Sequence, residues 1–125
     1  MNVEHGESFV TLEVDIITVK TQGAFNREGI IKAFDQLKLI IESNNLSSFK
    51  VLLDYSDSEG GTPAAYDEVN RCNLWLNTQN MTAKATVMTS PMYQSILESR
   101  TPASKTQNAK LFTDKQSAIS WLKSQ

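Results

Sequence analysis

The stretch that constrains this chain most runs from Phe49 to Thr62, FKVLLDYSDSEGGT, with Pro63 directly after it. Val51, Leu52 and Leu53 form an unbroken apolar run, which suits a strand covered on both faces. Asp54 closes the run, and Ser56, Asp57, Ser58, Glu59, Gly60 and Gly61 read as a small polar loop. Thr62 is then an N-cap and Pro63 the first helical residue, where the missing N–H costs nothing. A doubly covered strand that enters a helix through a glycine-rich loop belongs to an open α/β sheet. Such sheets place function at the carboxyl ends of their strands.

The rest of the chain fits around that strand. Phe9 to Val14 alternates, with Val10, Leu12 and Val14 on one face, and Ile16 to Thr21 resumes strand character after Asp15. The two runs read as an antiparallel hairpin with one wet face, closed by Gly23. Asn26 caps a helix from Arg27 to about Ser43, whose stripe is Ile30, Ala33, Phe34, Leu37, Ile40 and Ile41. The helix from Pro63 to about Thr78 turns Ala65, Val69, Cys72 and Leu76 inward, with Tyr66 and Trp75 flanking. Asp67 and Arg71 are spaced to pair along its surface.

Lys84 to Thr89 is a short strand, and Ser90-Pro91 repeats the cap-and-proline start for a helix through Tyr93, Ile96 and Leu97. Arg100 to Asn108 has the composition of a surface loop. Ala109 to Phe112 is a brief edge strand. Thr113 and Gln116 form a capping box for a last helix with Ala118, Ile119 and Leu122 inward. The order ββαβαβαβα implies one α/β domain over residues 1–125. Its mixed five-stranded sheet has an N-terminal antiparallel hairpin, then parallel β-α units joined by right-handed crossovers, with about four helices.

Composition excludes several functions. A net charge of −2 argues against a nucleic-acid binder. The charge is uneven: residues 1–70 carry five Lys/Arg against twelve Asp/Glu, and the remainder seven against two. The single cysteine, Cys72, rules out an internal disulfide and a cysteine-based zinc cluster. The N-terminus has no secretory pattern, and no apolar stretch approaches the roughly 20 residues of a membrane span, so a cytoplasmic protein is expected.

Few residues suit chemistry. Asp54, Asp57 and Glu59 are acidic neighbours, but EF-hand spacing fails, since a loop starting at Tyr55 ends at Tyr66. No metal and no cofactor is expected. Gly60, Gly61 and the amides after Thr62 offer an anion cradle, yet no lysine is near in sequence and three carboxylates oppose it. Cys72 lies on an apolar stripe and His5 in a fraying terminus, so they do not form a nucleophile–base pair. Ser90 before Pro91 is a cap rather than half of a pair with Lys105.

The element order and three stretches, GAFNREG, LLDYSDSEGGTP and LFTDKQSAISWLKS, resemble the SpoIIAA-like fold of STAS domains. They are similar to the small bacterial SpoIIAA-like (STAS/CRAL-TRIO-related) family. Anti-sigma-factor antagonists of that class carry a phosphorylatable serine, in an Asp-Ser-(Ser/Thr)-Gly motif, where the second helix starts. Here Asp57-Ser58 precedes that helix by several residues and Thr62 stands at its start, so the resemblance implies an acceptor at Thr62, Ser58 or Ser56. It implies a non-enzymatic regulatory or protein-interaction module. Its working surface would comprise Asp54, Ser56, Asp57, Ser58, Gly60, Gly61, Thr62 and Ser90. The alternative is a carrier for a small apolar or lipid-like ligand. An enzyme ranks third, because no acid–base pair can be named. The partner is therefore another protein or a small ligand, with no nucleic acid, and the chain is a monomer or homodimer.

Overall fold

A computed structural model describes residues 3–125. Strands β1 (Glu7–Glu13) and β2 (Ile16–Phe25) form the expected antiparallel hairpin, with Val10 opposite Val19. Helix α1 (Arg27–Ser43) leads to β3 (Phe49–Gly61), and α2 (Pro63–Leu76) to β4 (Met81–Val87). Helix α3 (Pro91–Arg100) and a 3₁₀ turn (Pro102–Thr106) precede β5 (Ala109–Phe112) and α4 (Lys115–Lys123). The sheet order is β1-β2-β3-β4-β5, parallel from β2 onward. This is the anticipated mixed sheet and element order.

Alternate residues of β3 face opposite ways, and both faces are covered. Val51, Leu53 and Tyr55 join Ile17 and Val19 beneath Phe34, Leu37 and Ile41 of α1 and Val69, Cys72 and Leu76 of α2. Leu52 instead joins Ala83, Ala85 and Val87 of β4 beneath Ala118 and Leu122 of α4. That double cover is why three consecutive apolar residues were needed. On β1 the outward residues Glu7, Phe9, Thr11 and Glu13 are exposed, which is the wet face of the hairpin.

Several local expectations give way. Val14 does not continue the apolar face of β1; it occupies the turn at φ +58° and is 88% exposed. Gly23 does not close the hairpin, because β2 runs on past it to Phe25. The largest correction is at residues 55–61. They are not a loop but the second half of β3, paired through Gln22↔Asp57, Gly23↔Ser58 and Phe25↔Gly61. Asp, Ser and Gly are poor strand formers, and the pairing offered by β2 overrides their preference.

The remaining differences are smaller. Pairing with Phe49 draws Met81 into β4, three residues before the expected start. The α4 cap is Asp114, not Thr113, with the Asp114 carboxylate accepting from the Ser117 N–H at 2.8 Å. The expected Asp67–Arg71 pair is absent: Arg71 pairs with Glu68, and Asp67 with Arg100 at 3.1 Å. The stretch after Arg100 contains a 3₁₀ turn rather than loop alone. His5 is held rather than fraying, its backbone N–H donating to Asn26 Oδ1 at 2.9 Å.

Phe34 is only 6% exposed at the centre of the α1 stripe. Phe34→Ala should destabilise the protein by about 3–5 kcal/mol through the cavity it leaves. Chemical denaturation measures this, and a loss below about 1 kcal/mol would contradict the packing described.

Candidate functional site

The carboxyl edge of the parallel strands gathers most of the residues singled out in the sequence. Asp54 is 2% exposed, and its Oδ1 accepts from the Ser56 N–H at 3.2 Å and the Ser56 hydroxyl at 2.6 Å. The carboxylate thus shapes its own chain locally. Asp57 is exposed and pairs with Lys20 at 3.2 Å. Ser58 is half-buried in the β2–β3 ladder.

Gly60 holds φ +84°, and a Cβ there would lie 2.9 Å from the Tyr93 ring of α3. Only glycine fits both demands. That close approach seats Tyr93, in the first turn of α3, against the end of β3, while Arg100 at the far end of α3 reaches the Pro63 carbonyl and Asp67 of α2. Thr62 Oγ1 accepts from the Ala65 N–H at 3.1 Å, and Ser90 Oγ accepts from the Tyr93 N–H at 3.3 Å. Both are working helix caps. Thr62, Pro63, Pro91 and Met92 are exposed, so both helix starts at this edge are open to solvent.

Behind this edge is an apolar cavity of about 30 Å³, lined by Thr21, Phe25, Tyr55, Tyr66 and Met88 among others. Its volume is about that of one water molecule. Thr21 Oγ1 is buried there without a partner. Burial raises the Tyr66 hydroxyl above its ordinary range, reinforced by nearby Tyr93 and opposed by the Gly61 N–H.

A second cleft, of about 220 Å³, opens between β4, β5, α2, α3 and the 3₁₀ turn. Sequence reasoning missed it. Lys84 and Thr86 line it from the inner face of β4, while Ala83, Ala85 and Val87 face α4. Lys84 is 4% exposed, and its ammonium donates to Asn73 Oδ1 at 2.7 Å. Burial pulls the lysine down to about 8, with the neighbouring Cys72 acting the other way. The only prior signal was the alternation in MTAKATV, which puts Thr82, Lys84 and Thr86 on one side of an inner strand.

Cys72 offers no nucleophile at neutral pH, since burial pushes its thiol up to about 12. Among the described residues no group of three His, Cys, Asp or Glu side chains could hold a metal ion. No described helix is long and apolar enough to cross a membrane.

Comparison with known proteins adds the fold. No protein-family model matches the sequence, and no curated protein matches it. Solved structures do match. An uncharacterized protein of the DUF3478 family with a SpoIIAA-like fold, from Shewanella loihica PV-4, is 16% identical. It aligns over 98% of this chain and 97% of its own, at a TM-score of 0.66. An anti-sigma factor antagonist from Mycobacterium paratuberculosis is 13% identical over 95% of each chain, also at 0.66. The anti-sigma factor antagonist SpoIIAA in its unphosphorylated form is 8% identical, over 97% of this chain and 98% of its own, at 0.62. The chain therefore has the SpoIIAA-like α/β fold.

The buried lysine makes a testable demand on stability. A lysine with a lowered folded value imposes its full penalty below about pH 8. The penalty is relieved as pH rises towards the unfolded value near 10.5, because the unfolded chain then holds the extra proton. Cys72 titrates in the opposite sense, so wild type must be compared with Lys84→Met. Between about pH 8 and pH 10 the stability of wild type relative to Lys84→Met should rise by a few kcal/mol in urea unfolding. A flat difference would contradict a buried, desolvated amine.

Proposed function

We propose that this protein is a non-enzymatic regulatory module that binds another protein through the edge formed by the starts of α2 and α3. One observation carries the reading: Gly60, two residues before the Thr62 cap, packs on Tyr93 in the first turn of α3, and Thr62, Pro63, Pro91 and Met92 are exposed on either side of that contact in the chain. Two of its fold neighbours are anti-sigma factor antagonists, which supports a regulatory partner of that general kind. Nothing at the edge suits catalysis. Asp54 is committed to Ser56, Asp57 to Lys20, and the Thr62 and Ser90 hydroxyls to helix amides.

The same edge suits a phospho-switch. Thr62 and Ser56 are exposed acceptors, whereas Ser58 is partly shielded by the ladder. Phosphate on Thr62 would meet the free amides of α2, which favour negative charge, and also Glu59 and Asp67, which oppose it. The repulsion would move the edge and weaken a partner seated on it without unfolding the sheet.

Substitutions at Thr62 test this. Thr62→Ala should lose about 1 kcal/mol of stability, while Thr62→Ser and Thr62→Asn keep the cap. Mass spectrometry of protein from its source cells should find phosphate on wild type and Thr62→Ser but not on Thr62→Asn. A partner retained by the unphosphorylated chain should be lost on Met92→Glu, with the thermal midpoint unchanged. Identical phosphate content and partner retention for Thr62→Ser and Thr62→Asn would contradict the switch. Partner retention indifferent to Met92→Glu would contradict the surface.

A further inference from the structure

The cleft over Lys84 is separate from that edge and is built differently. β4 lies between β3 and β5, so residues on its inner face would ordinarily be apolar. Here the inner face carries Lys84 and Thr86, and the roof stays open because α3 has no fully buried residue. A lysine is almost never fully buried without a charge partner. Lys84 has none: no carboxylate pairs with it among the described residues. Of its three donors, one is used on Asn73.

The walls are mixed. Leu53, Val69, Leu97 and Leu111 supply apolar surface, and Thr86 a hydroxyl. Gln107 also lines the cleft, and its Oε1 is buried with no partner. Its amide orientation is fixed by the Nε2 donor, which reaches Asn77 Oδ1 at 2.9 Å and Asn73 Oδ1 at 3.4 Å. Lys84 and Gln107 thus converge on the same Asn73 oxygen; Lys84 keeps two donors in hand for an anion, whereas the Gln107 oxygen can only accept and takes no part in holding a carboxylate.

We propose that this cleft binds a small organic carboxylate, with its charge on the Lys84 ammonium and its carbon body against Leu97 and Leu111. A negative charge is what the buried ammonium lacks, and a carboxylate meets its two free donors directly. The cleft, of about 220 Å³, has room for a short branched or aromatic acid. Lys105 stands at the rim and adds positive potential, against Glu98 opposite.

The test uses the full chain, with methyl NMR titrations of benzoate and of benzamide, its neutral isostere. Benzoate should shift the Thr86, Leu97 and Leu111 methyls saturably and bind about tenfold or more tighter than benzamide, the scale of one charged hydrogen bond. The ionisable groups around Lys84 are Cys72 of α2, Glu98 of α3, Lys105 of the 3₁₀ turn and Lys110 of β5. Cys72 stays protonated, so affinity should fall by about tenfold from pH 7 to pH 10 as the Lys84 ammonium is lost. Lys84→Met should abolish the benzoate shifts. Equal affinity for benzoate and benzamide, absence of saturable binding, or binding that survives Lys84→Met would overturn the proposal. Should Lys84→Met fail to fold, the benzoate–benzamide comparison on wild type decides alone.

Discussion

The molecule depends on the parallel ladder between β2 and β3. It begins at Ile16↔Lys50 and continues, through two register shifts, to Phe25↔Gly61. Beyond the last pair the Thr62 N–H still donates to the Phe25 carbonyl at 3.0 Å. Asn26 starts α1 and Thr62 starts α2, each one residue past its strand, so one end of one ladder positions both helices. Arg27 and Glu68 then pair across the two helix starts at 3.0 Å. With Arg27 half in solvent, the pair contributes little energy by itself. It reports that the two starts are already in register.

Much of this was legible in the residues, and the reasons are local. Val51 to Leu53 needed cover on both faces, and the stripes of α1 and α2 supplied half of it. Asn26, Thr62 and Ser90 each bring a short polar side chain to a helix start, where an unpaired amide waits for it. Residues 55–61 were not legible, because their strand character comes from the partner and not from Asp, Ser or Gly. The bulges that let β2 follow them leave no mark in the sequence. Val14 misled for a related reason: the alternation that put it on the apolar face stops where the hairpin must turn. The surface edge could be anticipated from its caps. The cleft over Lys84 could not, since recognising an inner polar face requires knowing which side of β4 meets α2.

Helix α3 links these two regions and explains why both exist. Its first turn, held by Ser90 and by Tyr93 against Gly60, builds the exposed edge. Its last turn, through Leu97 and Thr101, borders the lysine cleft. Between them nothing is fully buried, and the helix is tied down chiefly at its end, by Arg100 to Asp67 and the Pro63 carbonyl. A helix seated this lightly leaves room beneath it. A tighter one would close the cleft and bury the amine beyond reach of any anion.

The central structural claim is that residues 55–61 are ladder and not loop. Native-state hydrogen exchange read by mass spectrometry on peptides spanning Asp54 to Thr62 tests it most directly. Backbone amides in the ladder exchange only when that part of the sheet opens. Because β4 ends opposite Asp54, the account predicts that the amides across Ser56 to Gly61 that turn to β2, about half of them, are protected within about tenfold of those across Val51 to Leu53. Exchange at the rate of an unstructured peptide over Ser56 to Gly61 would contradict it, and the two helix starts would lose the element that sets them side by side.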